Sequence, residues 1–138
     1  MTTRIASPAS TGGRGYVYED HVISYFLICM LAGEPPLNSE GLGILERIDL
    51  QTKSIGWLLD DILLTFQSPE GSIRAAFSIK SSQQFVRNAA PADFVEEAWE
   101  QFLGNGQSVF SRGVDRLGLI SPSISEPLRK DLNTLINS

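Results

Sequence analysis

Cysteine, histidine and basic charge are all scarce in this sequence. Cys29 is the single cysteine among 138 residues, so no disulfide can form within the chain and no cysteine-rich zinc site is available. This composition favours a reducing, cytoplasmic location. The 11 lysines and arginines are outnumbered by 16 acids, which leaves a net charge of −5. That charge argues against a protein that coats nucleic acid through a broad basic surface.

Long hydrophobic runs are also missing. The sequence has no uninterrupted apolar stretch of about 18 residues, and its start, MTTRIASPASTGGRG, lacks the apolar core of a signal peptide. We therefore expect no membrane segment. Residues 1–14 are rich in Ser, Thr, Gly and Pro and are predicted to be a flexible leader, whereas residues 15–138 have the length of one domain. The last helical pattern has no stop signal at Ser138, so we expect the N-terminal part of a longer protein.

The spacing of apolar residues predicts three helices. The first is expected from Tyr16 to Gly33, with Cys29 as a small core residue. Its buried face is predicted to consist of Val22, Ile23, Phe26, Leu27, Met30 and Leu31. The second is predicted over 91–104, and a third begins at Ser125. The buried face of the second helix is predicted to consist of Phe94, Val95, Ala98, Trp99 and Phe102.

Alternating and continuous apolar runs predict the strands. They are expected at 44–52, 57–66, 72–82 and 117–121. Short connections between the first three favour an antiparallel meander. The element order α-β-β-β-α-β-α predicts an α/β sandwich, in which helices flank a central mixed sheet of about four strands.

Two adjacent acids, Asp60 and Asp61, lie in the most apolar run of the chain, WLLDDILLTF. This run is predicted to be a buried central strand because it is apolar on both faces. Burying a carboxylate is costly unless the group is paired or holds a metal. The two acids therefore call for partners elsewhere in the sequence.

Further groups of matching chemistry are expected close to Asp61. Glu19 shares the inward helix face of Val22, so it points toward the sheet. Ser78 and Lys80 are two residues apart on the next strand and project from the same face. Such a pocket suits Mg²⁺, which binds carboxylates and water. A lysine beside the metal can orient or help to deprotonate the attacking water and offset charge on a phosphate.

Three short motifs stand on these elements in a fixed order. GYVYE occupies residues 15–19, DILL occupies 61–64 and SIK occupies 78–80. Together they resemble the PD-(D/E)xK nuclease superfamily, which has the restriction-endonuclease-like fold. The resemblance implies catalytic roles for Glu19, Asp61 and Lys80, and a supporting role for Ser78. It also implies that Mg²⁺ or Mn²⁺ is held by Glu19, Asp61, Asp60 and the Ile79 carbonyl.

More narrowly, residues 12–138 are similar to N-terminal effector nuclease domains of bacterial antiphage proteins. Those domains precede a STAND-type NTPase and sensor repeats. The similarity implies an endonuclease that cuts double-stranded DNA when the full-length protein assembles into a homo-oligomer. Gln83, Gln84 and Arg87 follow Lys80 in a segment without acids, and we expect them to contact DNA.

Ser78 departs from the superfamily pattern, because a hydroxyl is a poorer metal ligand than the acid or glutamine expected there. The alternative hypothesis is therefore a catalytically weak or inactive module of the same fold that mediates oligomerisation or partner binding. The net negative charge favours this alternative as well.

Each site residue also has a purely structural explanation. Glu19 could favour the positive end of the first helix. The two adjacent acids could pair with Lys53, Arg74 or Lys80 in a structural network. Lys80 could instead extend its stem along the sheet and leave its amine in water.

Overall fold

The computed structural model describes residues 13–81, 91–104, 109–122, 129–130 and 133–134. Its main elements are α1 Gly13–Ala32, β1 Ile44–Leu50, β2 Ile62–Ser68, β3 Gly71–Ile79, α2 Ala92–Leu103 and β4 Arg116–Ile120. Short 3₁₀ turns lie at Pro36–Asn38, Glu40–Leu42 and Thr52–Ile55. Most of the predicted third helix, from Ser125 onward, lies outside the described residues.

The four strands form one sheet in the order β1-β2-β3-β4. The first three pair antiparallel, and β4 pairs parallel to β3. The connection from β3 to β4 contains α2, as a parallel pair requires a crossover of this kind. The expected α/β class, the mixed four-stranded sheet and the antiparallel meander are therefore confirmed.

The side chains of β2 divide between two hydrophobic cores, one on each face of the sheet. Ile62, Leu64 and Phe66 belong to the core that α1 covers. Leu63 belongs to the second core, which contains Trp57 and is covered by α2. Since β2 has a paired strand on each side and apolar packing on both faces, it is the central strand that its sequence predicted.

The second strand begins at Ile62, which corrects the prediction that it begins at residue 57. Trp57 and Leu59 are nevertheless fully buried. Burial, and not strand pairing, thus explains the apolar character of residues 57–59. Asp60 and Asp61 consequently stand before the strand and are half-buried, where the prediction placed them within it.

Gly33 ends α1, as predicted. It adopts a positive φ of 71°, which glycine tolerates without strain. Its N–H donates to the Met30 carbonyl and the N–H of Glu34 donates to the Cys29 carbonyl, a Schellman cap. Cys29 itself is buried, as expected. The helix begins at Gly13, earlier than predicted.

The predicted buried faces of both helices are partly wrong. On α1, Leu27 and Leu31 are exposed, the latter by 83%. On α2, Phe94 and Ala98 pack against the sheet, but three residues predicted to be buried are exposed: Val95, Trp99 and Phe102. Gln101 is buried instead, because its side-chain amide bonds to the backbone of residues 56 and 58. No helix among the described residues is long and apolar enough to cross a membrane.

Candidate functional site

Asp61 stands directly before β2 and opposite the end of β3. Its Oδ2 atom accepts a hydrogen bond of 2.7 Å from the N–H of Ile79 and a longer one of 3.4 Å from the hydroxyl of Ser78. Ile62 pairs with Phe77, so Asp61 reaches the adjoining positions of β3. Within the described part of the chain, no residue donates a hydrogen bond to the second oxygen, Oδ1.

The end of β3 turns several groups toward Asp61. In an extended strand the N–H and C=O of one residue point to the same side, so the Ile79 carbonyl also faces the Asp61 side. The N–H of Lys80 points the other way and donates to the Ile120 carbonyl of β4 at 2.9 Å. Ser78 is buried, and its hydroxyl contacts Asp61 rather than solvent.

The side chain of Lys80 is held by Asp93, in the first turn of α2. Its Nζ atom lies 2.5 Å from Oδ2 of Asp93. This hydrogen bond raises the pKa of Lys80, and the negative charges of Asp93, Asp61 and Glu97 act in the same direction, while burial opposes them. The amine is therefore a stable ammonium ion that lies in the electrostatic field of Asp61.

Glu19 lies on α1 at the same end of the sheet. Partial burial raises the pKa of its carboxyl, and the negative charges of Asp61, Asp20 and Asp60 raise it further. These interactions place Glu19 within electrostatic range of Asp61. Burial and the nearby negative charges both disfavour its ionised form, and a nearby cation would favour that form.

Two more acids extend this negative region on the side of α2. Burial raises the pKa of Glu97, and the charge of Asp60 raises it too, while Lys53 and Lys80 oppose the shift. The charge of Asp60 thus acts on both Glu19 and Glu97, and its backbone carbonyl accepts a hydrogen bond from the N–H of Thr52.

A metal site at Asp61 stays a prediction. In the described ranges, no group of three His, Cys, Asp or Glu side chains is arranged to hold a metal ion. Glu19, Asp61 and the Ile79 carbonyl offer two carboxylates and one neutral oxygen, and Mg²⁺ is commonly bound by one or two carboxylates plus water. The surplus of negative charge gives a cation the electrostatic compensation it needs.

The structural network proposed as an alternative is not formed as expected. Arg74 pairs with the buried Asp115 at 3.4 Å, and Lys80 pairs with Asp93. Neither cation forms an ion pair with Asp60 or Asp61 in the described part of the structure. Cavities of about 280, 370 and 500 Å³ are lined by other residues.

Gln83, Gln84 and Arg87, the predicted DNA contacts, lie outside the described residues. Asp93 and Glu97 are not among the site residues that the sequence predicted. A signal for Asp93 exists in retrospect. It is the first acid after Lys80, and an acid in the first turn of a helix is held by the backbone amides there.

Comparison with known proteins gives no match: no family model, no curated protein and no solved structure is significantly similar to this chain. The resemblance to nucleases therefore depends on the three motifs and on where the structure places their residues. Asp61 contacts Ser78 and the N–H of Ile79, and its charge acts on Glu19 and Lys80. Their assignment to metal binding and catalysis stays a prediction.

Proposed function

We propose that this chain is a metal-dependent endonuclease domain for double-stranded DNA, with a restriction-endonuclease-like fold, and that it serves as the effector of a bacterial antiviral defence protein. One observation carries the proposal. Asp61 meets Ser78 and Ile79 across the end of the sheet, and Glu19 and Lys80 lie within range of its charge. The order of motifs and the mixed sheet support the fold assignment.

Each residue of the site has a proposed role. Asp61, Glu19 and the Ile79 carbonyl would hold Mg²⁺ or Mn²⁺, with Asp60 adding negative charge nearby. The metal, when bound, would act as a Lewis acid on the scissile phosphate. Lys80 would donate a hydrogen bond to a phosphate oxygen or to the attacking water. Its raised pKa keeps the Lys80 amine protonated. We therefore propose that Lys80 stabilises negative charge on the phosphate and does not remove a proton from the attacking water.

Ser78 would act through Asp61, because its hydroxyl donates to the carboxylate at 3.4 Å. An acid at this position could not donate such a bond when ionised. We therefore interpret the departure from the superfamily pattern as an exchange of a metal ligand for a residue that orients one. Gln83, Gln84 and Arg87 remain the proposed DNA contacts, and NTPase and sensor domains of a longer protein remain the proposed means of assembly.

A second candidate function is an oligomerisation module without strong catalysis. Large apolar side chains on the outer surfaces of both helices favour it. Leu31 is 83% exposed, Ile28 66% and Trp99 62%. Both functions could belong to one chain, since these residues and the candidate site occupy different surfaces of the helices.

The nuclease proposal is tested by plasmid cleavage in Mg²⁺ or Mn²⁺. Asp61→Asn keeps an oxygen that can accept the Ile79 N–H bond, so we expect a folded variant whose cleavage falls by about 100-fold or more. We expect Lys80→Ala to lose cleavage but retain metal binding. Glu70→Gln, in the exposed β2–β3 turn, is the matched control and should cleave like the wild type. Full cleavage by a folded Asp61→Asn, Lys80→Ala double variant would refute this site.

Ser78→Glu tests whether Ser78 stands where the superfamily pattern has a metal ligand. The new carboxylate would lie beside Asp61, so we expect a lower Tm without metal and a larger rise in Tm on adding Mn²⁺ than the wild type shows. Cleavage should be retained or increased, because a metal ligand is restored. If Mn²⁺ stabilises the variant no more than the wild type, position 78 does not face the metal.

A further inference from the structure

We propose that Asp93 is a positioning residue for Lys80: its ion pair holds the lysine ammonium at the end of β3, where it can meet a phosphate oxygen without collapsing onto Asp61. The proposal rests on the proposed nuclease function. It adds to the site a residue on α2 that none of the three sequence motifs contains.

Lys80 is held both at its backbone and at the end of its side chain. Its backbone N–H donates to the Ile120 carbonyl at 2.9 Å, which anchors the residue between β3 and β4. Its Nζ atom lies 2.5 Å from Asp93. The hydrogen bond from Lys80 lowers the pKa of the Asp93 carboxyl, and the backbone N–H groups at the start of α2 act in the same direction. A long, flexible side chain is thus restrained by a partner that belongs to a helix terminus.

The restraint leaves the ammonium with unused donors. A lysine amine has three N–H groups, of which one is directed to Asp93. Asp61 and Glu97 also attract the amine electrostatically. Without Asp93, the ammonium would be drawn toward those carboxylates. A contact with Asp61 would neutralise a residue to which we assign metal binding, so Asp93 keeps the two functions of the site apart.

The ion pair between Lys80 and Asp93 is too exposed to contribute much to the stability of the fold. The side chains of Lys80 and Asp93 are 27% and 50% exposed. Ion pairs of this exposure contribute little to the free energy of unfolding because water and salt screen them. Asp93→Asn should therefore leave the fold intact but change the position of the Lys80 amine.

The first measurement is acylation of lysine amines in the 138-residue chain, followed by mass spectrometry, with the exposed Lys53 as the internal reference. We expect Asp93→Asn to raise the labelling rate of Lys80 by about threefold to tenfold, as loss of a charged hydrogen bond implies. Asp93→Glu should restore most of the protection. Glu96→Gln, an equal charge change at an exposed position of α2, should leave it unchanged.

The second measurement is Mn²⁺-dependent plasmid cleavage by the assembled full-length protein carrying the same substitutions. Asp93→Asn should lower kcat by about tenfold with little change in KM, and Asp93→Glu should recover activity. Unchanged labelling of Lys80 in Asp93→Asn overturns the proposal. Increased labelling with undiminished kcat overturns the positioning role alone. Absence of cleavage by the wild type overturns the proposed function, while the labelling still reports whether the pair holds.

Discussion

At the scale of single residues, Asp61 shows how an acid is accommodated beside a buried strand. It stands one position before β2, and its carboxylate accepts hydrogen bonds from the N–H of Ile79 and the hydroxyl of Ser78. Neutral donors satisfy one oxygen without cancelling the charge. The remaining negative charge acts on Glu19 and Lys80, which makes this position the electrostatic centre of the site.

Glu19 leads to a prediction about pH and stability. Its pKa is raised in the folded state, so its ionised form opposes folding above that pKa, and the penalty disappears as the pH falls below the ordinary carboxyl range. Glu19→Gln should therefore raise Tm at pH 7 without metal by about 1 °C, a small gain because Glu19 is only half-buried and solvent screens its charge. The gain should vanish at acidic pH in a thermal melt series.

The same variant separates metal binding from simple charge removal. Mn²⁺ should raise the Tm of the wild type more than that of Glu19→Gln, because the variant lacks a ligand. Glu46→Gln, at an exposed position of β1, serves as the control and should keep the wild-type response to Mn²⁺. An equal response in all three proteins would exclude Glu19 from the metal site.

At the scale of elements, the pairing of strands assembles the site. Asp61 and Ser78 are 17 positions apart in sequence, and the antiparallel ladder between β2 and β3 brings them together. The parallel pairing of β4 anchors Lys80, and the start of α2 supplies Asp93. With Glu19 on α1, five elements therefore contribute to the candidate site, and the sequence motifs lie on three of them: α1, β2 and β3.

Gly43 tests the packing at the entry to β1. Its φ is 100°, and a Cβ there would fall on the backbone carbonyl of Gln67 and close to Cα of Ser68. We expect Gly43→Ala to lower the free energy of unfolding by about 3 kcal/mol, combining backbone strain with the displacement of a strand. Urea unfolding measures the change.

Gly33 is the matched control for that substitution. Its φ is also positive, at 71°, but an added Cβ would meet nothing within 4 Å. Gly33→Ala should therefore cost only the left-handed backbone term, about 1 kcal/mol. Equal losses at the two glycines would show that the close approach of β2 at Gly43 does not matter.

At the scale of the whole molecule, apolar residues on the outer side of α1 suggest self-association. Ile28 and Leu31 are 66% and 83% exposed, so replacing them with serine removes little buried surface. If a second copy packs there, Ile28→Ser, Leu31→Ser should weaken self-association by about tenfold or more without lowering Tm. Analytical ultracentrifugation measures the association. Leu37→Ser, 55% exposed outside α1, should leave it unchanged.

The sequence by itself determined the element order, the central position of β2 and the end of α1 at Gly33, because these follow from local patterns: periodicity, continuous apolar runs and helix-stop residues. It also predicted that Glu19, Asp61, Ser78 and Lys80 lie close together, since a buried acid needs partners, and the structure shows the contact between Asp61 and Ser78. The start of β2 was mistaken because burial and strand pairing leave the same apolar signature in Trp57.

Only the tertiary structure decided which partner each charged group takes. Arg74 pairs with Asp115 and Lys80 with Asp93, although sequence patterns allowed either cation to pair with Asp61. It also decided which apolar residues of the helices are buried, leaving Leu31 exposed. Periodicity describes one element at a time, whereas ion pairs and packing depend on how elements approach one another in space, and that is set by strand register and helix placement.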